Sequence, residues 1–353
     1  MKKSADRIIQ QDAQDVIRLV GKRMEKLAGK TIAITGANGV VGSYLVEVLH
    51  VFNKHTAQRP SRIIAITHHP VSPISRLGHL LGEKDISFVF GDVTKPIRLP
   101  FRPDYIIHSA SYASPKLYLA KPIETMEANS IGTKQMLELA KRSHTQNMLF
   151  ISSGAVYGEG KSGEPPMGED HPGYASPLDP RAVYSESKRF GETLCVVYAS
   201  SFGVHTTIAR LSNMYGPGFH LDDGRAIPDF FQQAFTKGII EINGNPDARR
   251  AYLYIADAIA AMFTILVDGK SSEAYNISSD KPRTIREIAE LVCKFFPTCS
   301  VATRKDRSKA YVLSSPKETI ISSKKLHDAL GWKASIRFED GLGRIYDWYR
   351  YAQ

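Results

Sequence analysis

Tyr184 and Lys188 stand four residues apart in a run that reads as helix, so they share one face about one turn from each other. A free phenol ionises near pH 10, to about that value. An adjacent ammonium stabilises the phenolate, which makes the pair a usable proton acceptor near neutrality. Ser153 closes an apolar run that reads as strand, and a hydroxyl held there can hydrogen-bond an oxygen on which a carbonyl develops. The third group is Gly36, Gly39 and Gly42. Gly36 permits a tight turn, Gly39 lets the backbone approach a pyrophosphate, and Gly42 lets a helix pack closely on a strand. The helix starting behind them turns free N–H groups and the positive end of its dipole toward phosphates. A proton acceptor, a carbonyl-oxygen ligand and a dinucleotide-phosphate turn together suit interconversion of a hydroxyl and a ketone.

These groups need a frame. From Lys30 onward, strands are predicted at Thr31 to Thr35, Arg62 to Thr67, Ile86 to Phe90, Tyr105 to His108, Met148 to Ser152 and His205 to Arg210. Helices are predicted between them at Val40 to Phe52, Ile123 to Arg142 and Arg181 to Ser200. Apolar strands separated by helices imply an α/β fold with a Rossmann-type, doubly wound parallel sheet covered on both faces. Ligands of such sheets gather at the carboxyl ends of the strands, where the glycine turn and Ser153 both fall. Gly158 to Pro180 is rich in Gly, Pro and charge without periodicity and reads as a long functional surface loop. Gly and Pro become frequent again around Tyr215 to Pro228, where a smaller mixed α/β substrate-binding region begins. Upstream, Ile9, Ala13, Val16, Val20, Met24 and Leu27 recur every three or four residues, predicting an amphipathic helix packed on the body or on a second subunit. The expected layout is a helical arm over 1–28, a dinucleotide-binding domain with the catalytic residues over 29–211, and a mainly substrate-binding region over 212–353 with segments returning to the preceding domain.

Several motifs carry a resemblance. Gly36-xx-Gly39-xx-Gly42, Gly91-Asp92-Val93, Asn129-Ser130-Ile131-Gly132-Thr133, the run from Ser152 to Gly158 and Tyr184-Ser185-Glu186-Ser187-Lys188 resemble the extended short-chain dehydrogenase/reductases, the NAD-dependent epimerase/dehydratase family acting on nucleotide sugars. The likeness runs from about Lys30 to Arg350. It is strongest toward the UDP-glucuronate decarboxylases in Ala113 to Tyr118 with Pro122-Ile123, Asp179 to Tyr184, Leu221 to Arg225 and Leu330-Gly331-Trp332. The resemblance implies catalysis by Ser153, Tyr184 and Lys188. It implies a nicotinamide dinucleotide held by Gly36, Asn38, Gly39, Val40, Val41, Gly42, His68, Asp92, Val93, Ala110, Asn129 and Lys188. It further implies a nucleoside-diphosphate sugar, a UDP-sugar in preference, held by Ser114, Pro115, Tyr118, Asn213, Arg225 and Arg250, the last being a guanidinium fork suited to a diphosphate. Arg210, Asn213, Tyr215, Gly216 and Pro217 resemble the family's RxxNxYGP turn, and pairing of two chains through the Tyr184 helix is implied as well.

Two departures shape the expected reaction. The decarboxylases and the 4,6-dehydratases carry a glutamate where this chain has Ala155, and the dehydratases an aspartate where it has Gly154. After the second strand, NAD-dependent members carry an acidic residue, but here the run is Thr67-His68-His69 with Arg76 beyond, which leaves room for a 2′-phosphate. The expectation is therefore NAD(P)-dependent modification of a sugar nucleotide through a 4-keto intermediate, by epimerisation or decarboxylation, with a slight lean to NADP. The alternative is reduction of a 4-keto sugar nucleotide by NADPH; a non-catalytic nucleotide-binding scaffold ranks below both. Glu159 and Glu186 are the nearest acids that could replace the missing pair.

Composition narrows the partners. The 353 residues hold 46 Lys and Arg against 36 Asp and Glu, a net charge of +10, which favours anionic ligands. The basic residues are scattered, and the doublets Lys2-Lys3, Arg249-Arg250 and Lys324-Lys325 are too short to line a groove, so no nucleic acid is expected. Cys195, Cys293 and Cys299 form no CxxC motif. No metal is expected, and the cysteines read as core filler in a reduced cytoplasm. The acidic and amide residues from Asp6 to Asp15 interrupt any signal peptide, and no run approaches the roughly 20 apolar residues of a membrane span.

Overall fold

The computed structural model describes residues 2–158, 160, 164–173, 177–304 and 318–352. Its centre is built from β1 (Thr31–Thr35), β2 (Arg62–Thr67), β3 (Ile86–Phe90), β4 (Tyr105–His108), β5 (Asn147–Ser153), β6 (Thr206–Leu211) and β11 (Glu273–Ile277). All pair in parallel in the order β11-β6-β5-β4-β1-β2-β3. The chain runs outward from β1 through β2 to β3, then returns to the other side at β4. That reversal between β1 and β4, with Thr35 opposite His108, opens a crevice at the carboxyl edge of the sheet.

Successive side chains of β1 feed two cores, as strand geometry requires. Ile32 and Ile34 join α2 (Val40–His55) and α8 (Ile255–Asp268) on one face. Ala33 joins Met136, Leu137 and Ala140 of α5 (Thr133–Ser143), and Cys195 and Tyr198 of α6 (Val183–Phe202), on the other. The helix expected at Ile123 to Arg142 is helical throughout but not uniform: α4 (Pro122–Glu127) passes through a π-helical turn at Ala128–Gly132 before α5. Such turns inside helices often mark functional sites.

The N-terminal helix α1 (Lys2–Val20) packs on α2, α8 and the C-terminal helix α11 (Phe338–Ala352), burying Ala13, Val16 and Val20 in the same core. Asp12 is fully buried there. It accepts from Tyr44 at 3.0 Å and Tyr254 at 2.8 Å and pairs with Arg344. Beyond β6, short sheets pair β7 (Asn213–Tyr215) with β10 (Tyr252–Tyr254), β8 (Ile239–Asn243) with β13 (Ser300–Arg304), and β9 (Arg249–Arg250) with β12 (Arg283–Thr284) and β14 (Glu318–Thr319). Around them lie α7 (Ala226–Lys237), α9 (Ile285–Cys293) and α10 (Lys324–Leu330).

The cysteine expectation needs correction. Cys195 is buried and free, as core filler would be, but Cys293 and Cys299 are joined in a disulfide. The turn after α9, closed by Phe296 N–H on Cys293 O and Cys299 N–H on Phe296 O, brings their Cα atoms to 5.2 Å. Among the described residues no helix is long and apolar enough to cross a membrane.

Candidate active site

The glycine turn forms as β1 leaves the sheet. Gly36 has φ of +63°, and a Cβ there would lie 2.8 Å from Ala110 Cα, so no side chain fits. Gly39 caps α2 without any side-chain hydrogen bond, so the first N–H groups of the helix open into the crevice beside Asn38, Val40 and Val41. Gly42 faces away. Its Cβ would stand 2.2 Å from Gly36 O, and it is absent from the cavity wall, so its contribution is close packing of helix on turn and not ligand contact.

Ser153, Tyr184 and Lys188 meet at the end of β5. The Ser153 Oγ accepts from Ala155 N–H at 3.1 Å, and Ser153 stands close enough to the Tyr184 hydroxyl to act on its pKa. Burial pushes the Tyr184 pKa up; the Ser153 hydroxyl and the charge of Arg225 pull it back. Lys188 is almost wholly buried one helical turn further on, with Nζ donating to Ile151 O at 2.7 Å and lying 5.9 Å from the centre of the Tyr184 ring. Burial lowers its pKa to about 7, against the opposing charge of Glu192. The amine is therefore poised to carry or release its charge near neutrality.

Most of the other expected residues share one cavity of about 1070 Å³: His68, Asp92, Val93, Ala110, Ser114, Pro115, Tyr118, Asn213, Arg225 and Arg250. Tyr118 stacks on Tyr184 with ring centres 5.2 Å apart. Asp92 accepts from the Thr94 N–H at 2.9 Å and hydroxyl at 2.8 Å; the backbone bond is the main reason its carboxyl stays below the usual range. Arg225 is held by Asp223 at 3.1 Å and Ala113 O at 3.1 Å. Asn129 departs from expectation. It is fully buried in the π-helical turn, does not line the cavity, and donates to Ser187 Oγ at 3.0 Å. That bond fastens the turn to α6, because Ser187 lies one residue before Lys188. Glu186 also stays out of the cavity, with its carboxylate 3.9 Å from Arg189. Glu159 lies outside the described residues.

Sequence reasoning passed over several residues. Glu192 continues the Tyr184–Lys188 face by one more turn. It accepts from Ser152 Oγ at 2.5 Å and from both ends of the Arg210 guanidinium at 2.9 and 2.7 Å, a buried bidentate pair locking α6 to β5 and β6. The i+4 spacing from Lys188 was its only signal. Ser111 and Ser212 also line the cavity, brought in by loops without a local pattern, as do Arg76, noted in the sequence only for a 2′-phosphate, and Asp223, noted only within the Leu221 to Arg225 stretch. Three carboxylate-rich ligands, His50, Glu83 and Asp85, cluster at the opposite end of the sheet, but Lys54 donates to Glu83 at 3.0 Å and Asn53 to Asp85 at 2.8 Å.

A dinucleotide fits this cavity on structural grounds. Asn38 Oδ1, Arg76 Nε, Ser111 Oγ and Ser212 Oγ are buried along it without a partner in the protein. Each such atom costs about 1–3 kcal/mol unless a ligand or water satisfies it, and all four residues line the cavity that also holds the glycine turn and the Ser153–Tyr184 pair. The space exceeds that of a single drug-sized ligand.

Comparison with known proteins gives concordant matches. The model of the NAD dependent epimerase/dehydratase family matches residues 32–278. UDP-glucuronic acid decarboxylase 1 of Danio rerio is 30% identical over 321 residues, covering 91% of this chain and 72% of that protein. The solved UDP-glucose 4-epimerase of Thermotoga maritima with UDP-glucose has a TM-score of 0.75 at 22% identity, over 91% of this chain and 99% of the other. RMD from Pseudomonas aeruginosa, solved with NADPH, has a TM-score of 0.71 at 25% identity, over 91% of this chain and 99% of the other.

Proposed function

The chain belongs to the NAD dependent epimerase/dehydratase family, and from that membership we propose that it is an NAD(P)-dependent enzyme that modifies a UDP-sugar through a 4-keto intermediate. The observation that carries this reading is the meeting of Ser153, Tyr184 and Lys188 with the glycine turn in one cavity. In this scheme Tyr184 takes the proton of the sugar 4-hydroxyl and Ser153 hydrogen-bonds the oxygen that becomes the carbonyl. Lys188, when protonated, stabilises the Tyr184 phenolate together with Arg225. When bound, the nicotinamide dinucleotide supplies the hydride acceptor and donor. Asn213 and Arg250 are assigned to the diphosphate of the sugar nucleotide, and Ser114, Pro115, Tyr118 and Arg225 to its sugar end. In this assignment 29–211 supplies the coenzyme site and 212–353 mainly the substrate site.

The step after oxidation turns on Ala155. Elimination of a 6-hydroxyl needs one group to remove the carbon 5 proton and another to protonate the leaving oxygen. Gly154 and Ala155 offer neither, and Gly154 packs 3.3 Å from Ile321 Cδ1 at its would-be Cβ. Epimerisation at carbon 4, or the reverse reduction of a 4-ketone, needs only Ser153, Tyr184 and the coenzyme, and is ranked first. Decarboxylation is the second reading, favoured by the decarboxylase named above; a carboxylate on carbon 5 next to a 4-ketone is a β-keto acid, which loses carbon dioxide without a base and leaves an enolate that takes a proton at carbon 5, with water as the donor. Incubation with UDP-glucose, UDP-galactose, UDP-glucuronate, dTDP-glucose and GDP-mannose, read by mass spectrometry and chromatography, is expected to convert a UDP-sugar and to leave alkali-induced absorbance of a 4-keto-6-deoxy product at background. Stoichiometric dehydration of any of the four substrates that carry a 6-hydroxyl would show that another acid replaces the missing pair.

For the coenzyme we favour NADP(H). His68 and His69 line the cavity at the end of β2, where the chain itself places no carboxylate to hold a ribose diol or repel a phosphate; Asp92, after β3, is the acid that interacts with His68. Calorimetric titration should give NADP(H) an affinity at least equal to that of NAD(H). A preference for NAD(H) of about 100-fold, about 2.7 kcal/mol, would place the ribose contact elsewhere. Pairing of two chains through α6 belongs to the same reading, supported by the exposed Phe190, Val197 and Phe202 on that helix with Ile123 and Met126 on α4. The cytoplasmic location rests on the free thiol of Cys195, while the Cys293–Cys299 disulfide weighs against it.

A further inference from the structure

Arg76 has no role in the scheme above, yet its guanidinium lies in the wall of the coenzyme cavity. It arrives on the loop between β2 and β3, and its Nη2 donates across the cleft to the carbonyl of Gly218. Gly218 has φ of +90°, and a Cβ there would lie 3.8 Å from Arg76 Nε and 3.9 Å from Val40 Cγ1. The arginine and the first residue of α2 thus flank the same gap. The start of α2, which no side chain caps, borders that gap through Val40, a helix end that favours an anion, and Arg76 borders it as well.

The remaining bonding of Arg76 leaves capacity for an anion. A guanidinium has five donors; Gly218 takes one, and Nε is buried without a partner in the protein. Asp223 is the carboxylate that acts on Arg76 by charge, but it is engaged by Arg225 at 3.1 Å. Burial of the cation lowers its pKa, the direction in which a bound anion would be most welcome. His68 and His69 stand at the end of β2, so the ribose 2′-position falls to them, whereas Arg76 faces Val40.

We propose that Arg76 clamps the diphosphate of the bound dinucleotide against the start of α2 and, through Gly218, ties the loop that carries Asp223 and Arg225 to the bound coenzyme. The inference rests on the dinucleotide reading of the glycine turn. Arg76 is a binding and positioning residue in it: the coenzyme phosphate satisfies Nε, and the Nη2 bond holds Gly218 and the following loop over the sugar end.

The test is calorimetric binding of ADP-ribose, NADH, NADPH, 2′-AMP and UDP to the full chain and to Arg76→Met, Arg76→Lys and Arg76→Gln. Arg76→Met is expected to weaken ADP-ribose, NADH and NADPH alike by about 10- to 100-fold, the worth of a hydrogen bond to a charged group. Arg76→Lys should recover part of that loss and Arg76→Gln, which keeps an N–H donor for the Gly218 carbonyl but carries no charge, should not, a difference that a role limited to holding Gly218 would not produce, and 2′-AMP affinity should stay unchanged. Equal ADP-ribose affinity in wild type and all the variants would overturn the clamp. Loss confined to NADPH and 2′-AMP would also overturn it, by moving Arg76 to the 2′-phosphate, and so would loss confined to UDP. Failure of the wild type itself to bind ADP-ribose, NADH or NADPH would instead remove the coenzyme reading, and the clamp with it.

Discussion

Tyr184→Phe should lower kcat by about 10²-fold or more, the usual worth of a positioned acid or base, while coenzyme affinity stays close to that of wild type. The substitution removes one oxygen and keeps the ring, so the stack on Tyr118 at 5.2 Å and the packing of α6 survive. The groups that act on that hydroxyl are Ser153, Arg225 and Tyr118, whereas the glycine turn offers its ligand backbone N–H groups. The loss should therefore fall on kcat, with little change in the KM of either ligand. Steady-state kinetics on the converted UDP-sugar, with a parallel coenzyme titration, checks both halves. Activity within a few-fold of wild type would take Tyr184 out of the mechanism, and an equal collapse of coenzyme binding would show that the variant damages the site as a whole.

A second large effect is expected far from the chemistry. Asp12→Ala should destabilise the chain by about 3–5 kcal/mol, the range for breaking a buried pair by removing one partner. Asp12 is fully buried, and its carboxyl, raised to about 6 by burial against the pull of Arg344, is the shared acceptor for Tyr44, Tyr254 and Arg344. Removing it strands two buried hydroxyls and leaves the guanidinium with Asp15 at 2.7 Å as its remaining partner. These groups come from α1, α2, the end of β10 and α11, so one carboxylate joins the arm to three elements of the body, beside the apolar packing of Ala13, Val16 and Val20. Asp12→Asn keeps an acceptor oxygen and should cost clearly less. Denaturant unfolding of the two variants checks the order; a cost below about 1 kcal/mol for the alanine would mean that the network contributes no more than a surface ion pair.

Much of the site was legible before any fold was known, because it depends on local geometry. Tyr184 and Lys188 must share a helix face at a spacing of four. The glycines between a strand and a helix must open a phosphate-sized turn. Apolar runs such as Thr31 to Thr35 and Arg62 to Thr67 could be placed as buried parallel strands for the same reason: every position of the first, and of the second after Arg62, is apolar or β-branched, so both faces must be covered. The amphipathic arm could be recognised from its period, although not the surface it packs on.

What lay beyond the sequence concerns groups brought together from distant parts of the chain. Local spacing cannot tell that Asn129 turns inward to Ser187, since that depends on a π-helical turn meeting α6. Nor can it tell that Cys293 and Cys299 meet across a turn. Arg76 reaches Gly218, 142 residues away, and Arg344 reaches Asp12, 332 residues away. Helix and strand periods are set by the backbone within a few residues and can be read from residue types. Which side chains converge across the crevice, which charges end up buried together and which way a loop arginine turns are decided by the packing of separate elements on one another, and no short-range pattern in the chain encodes that.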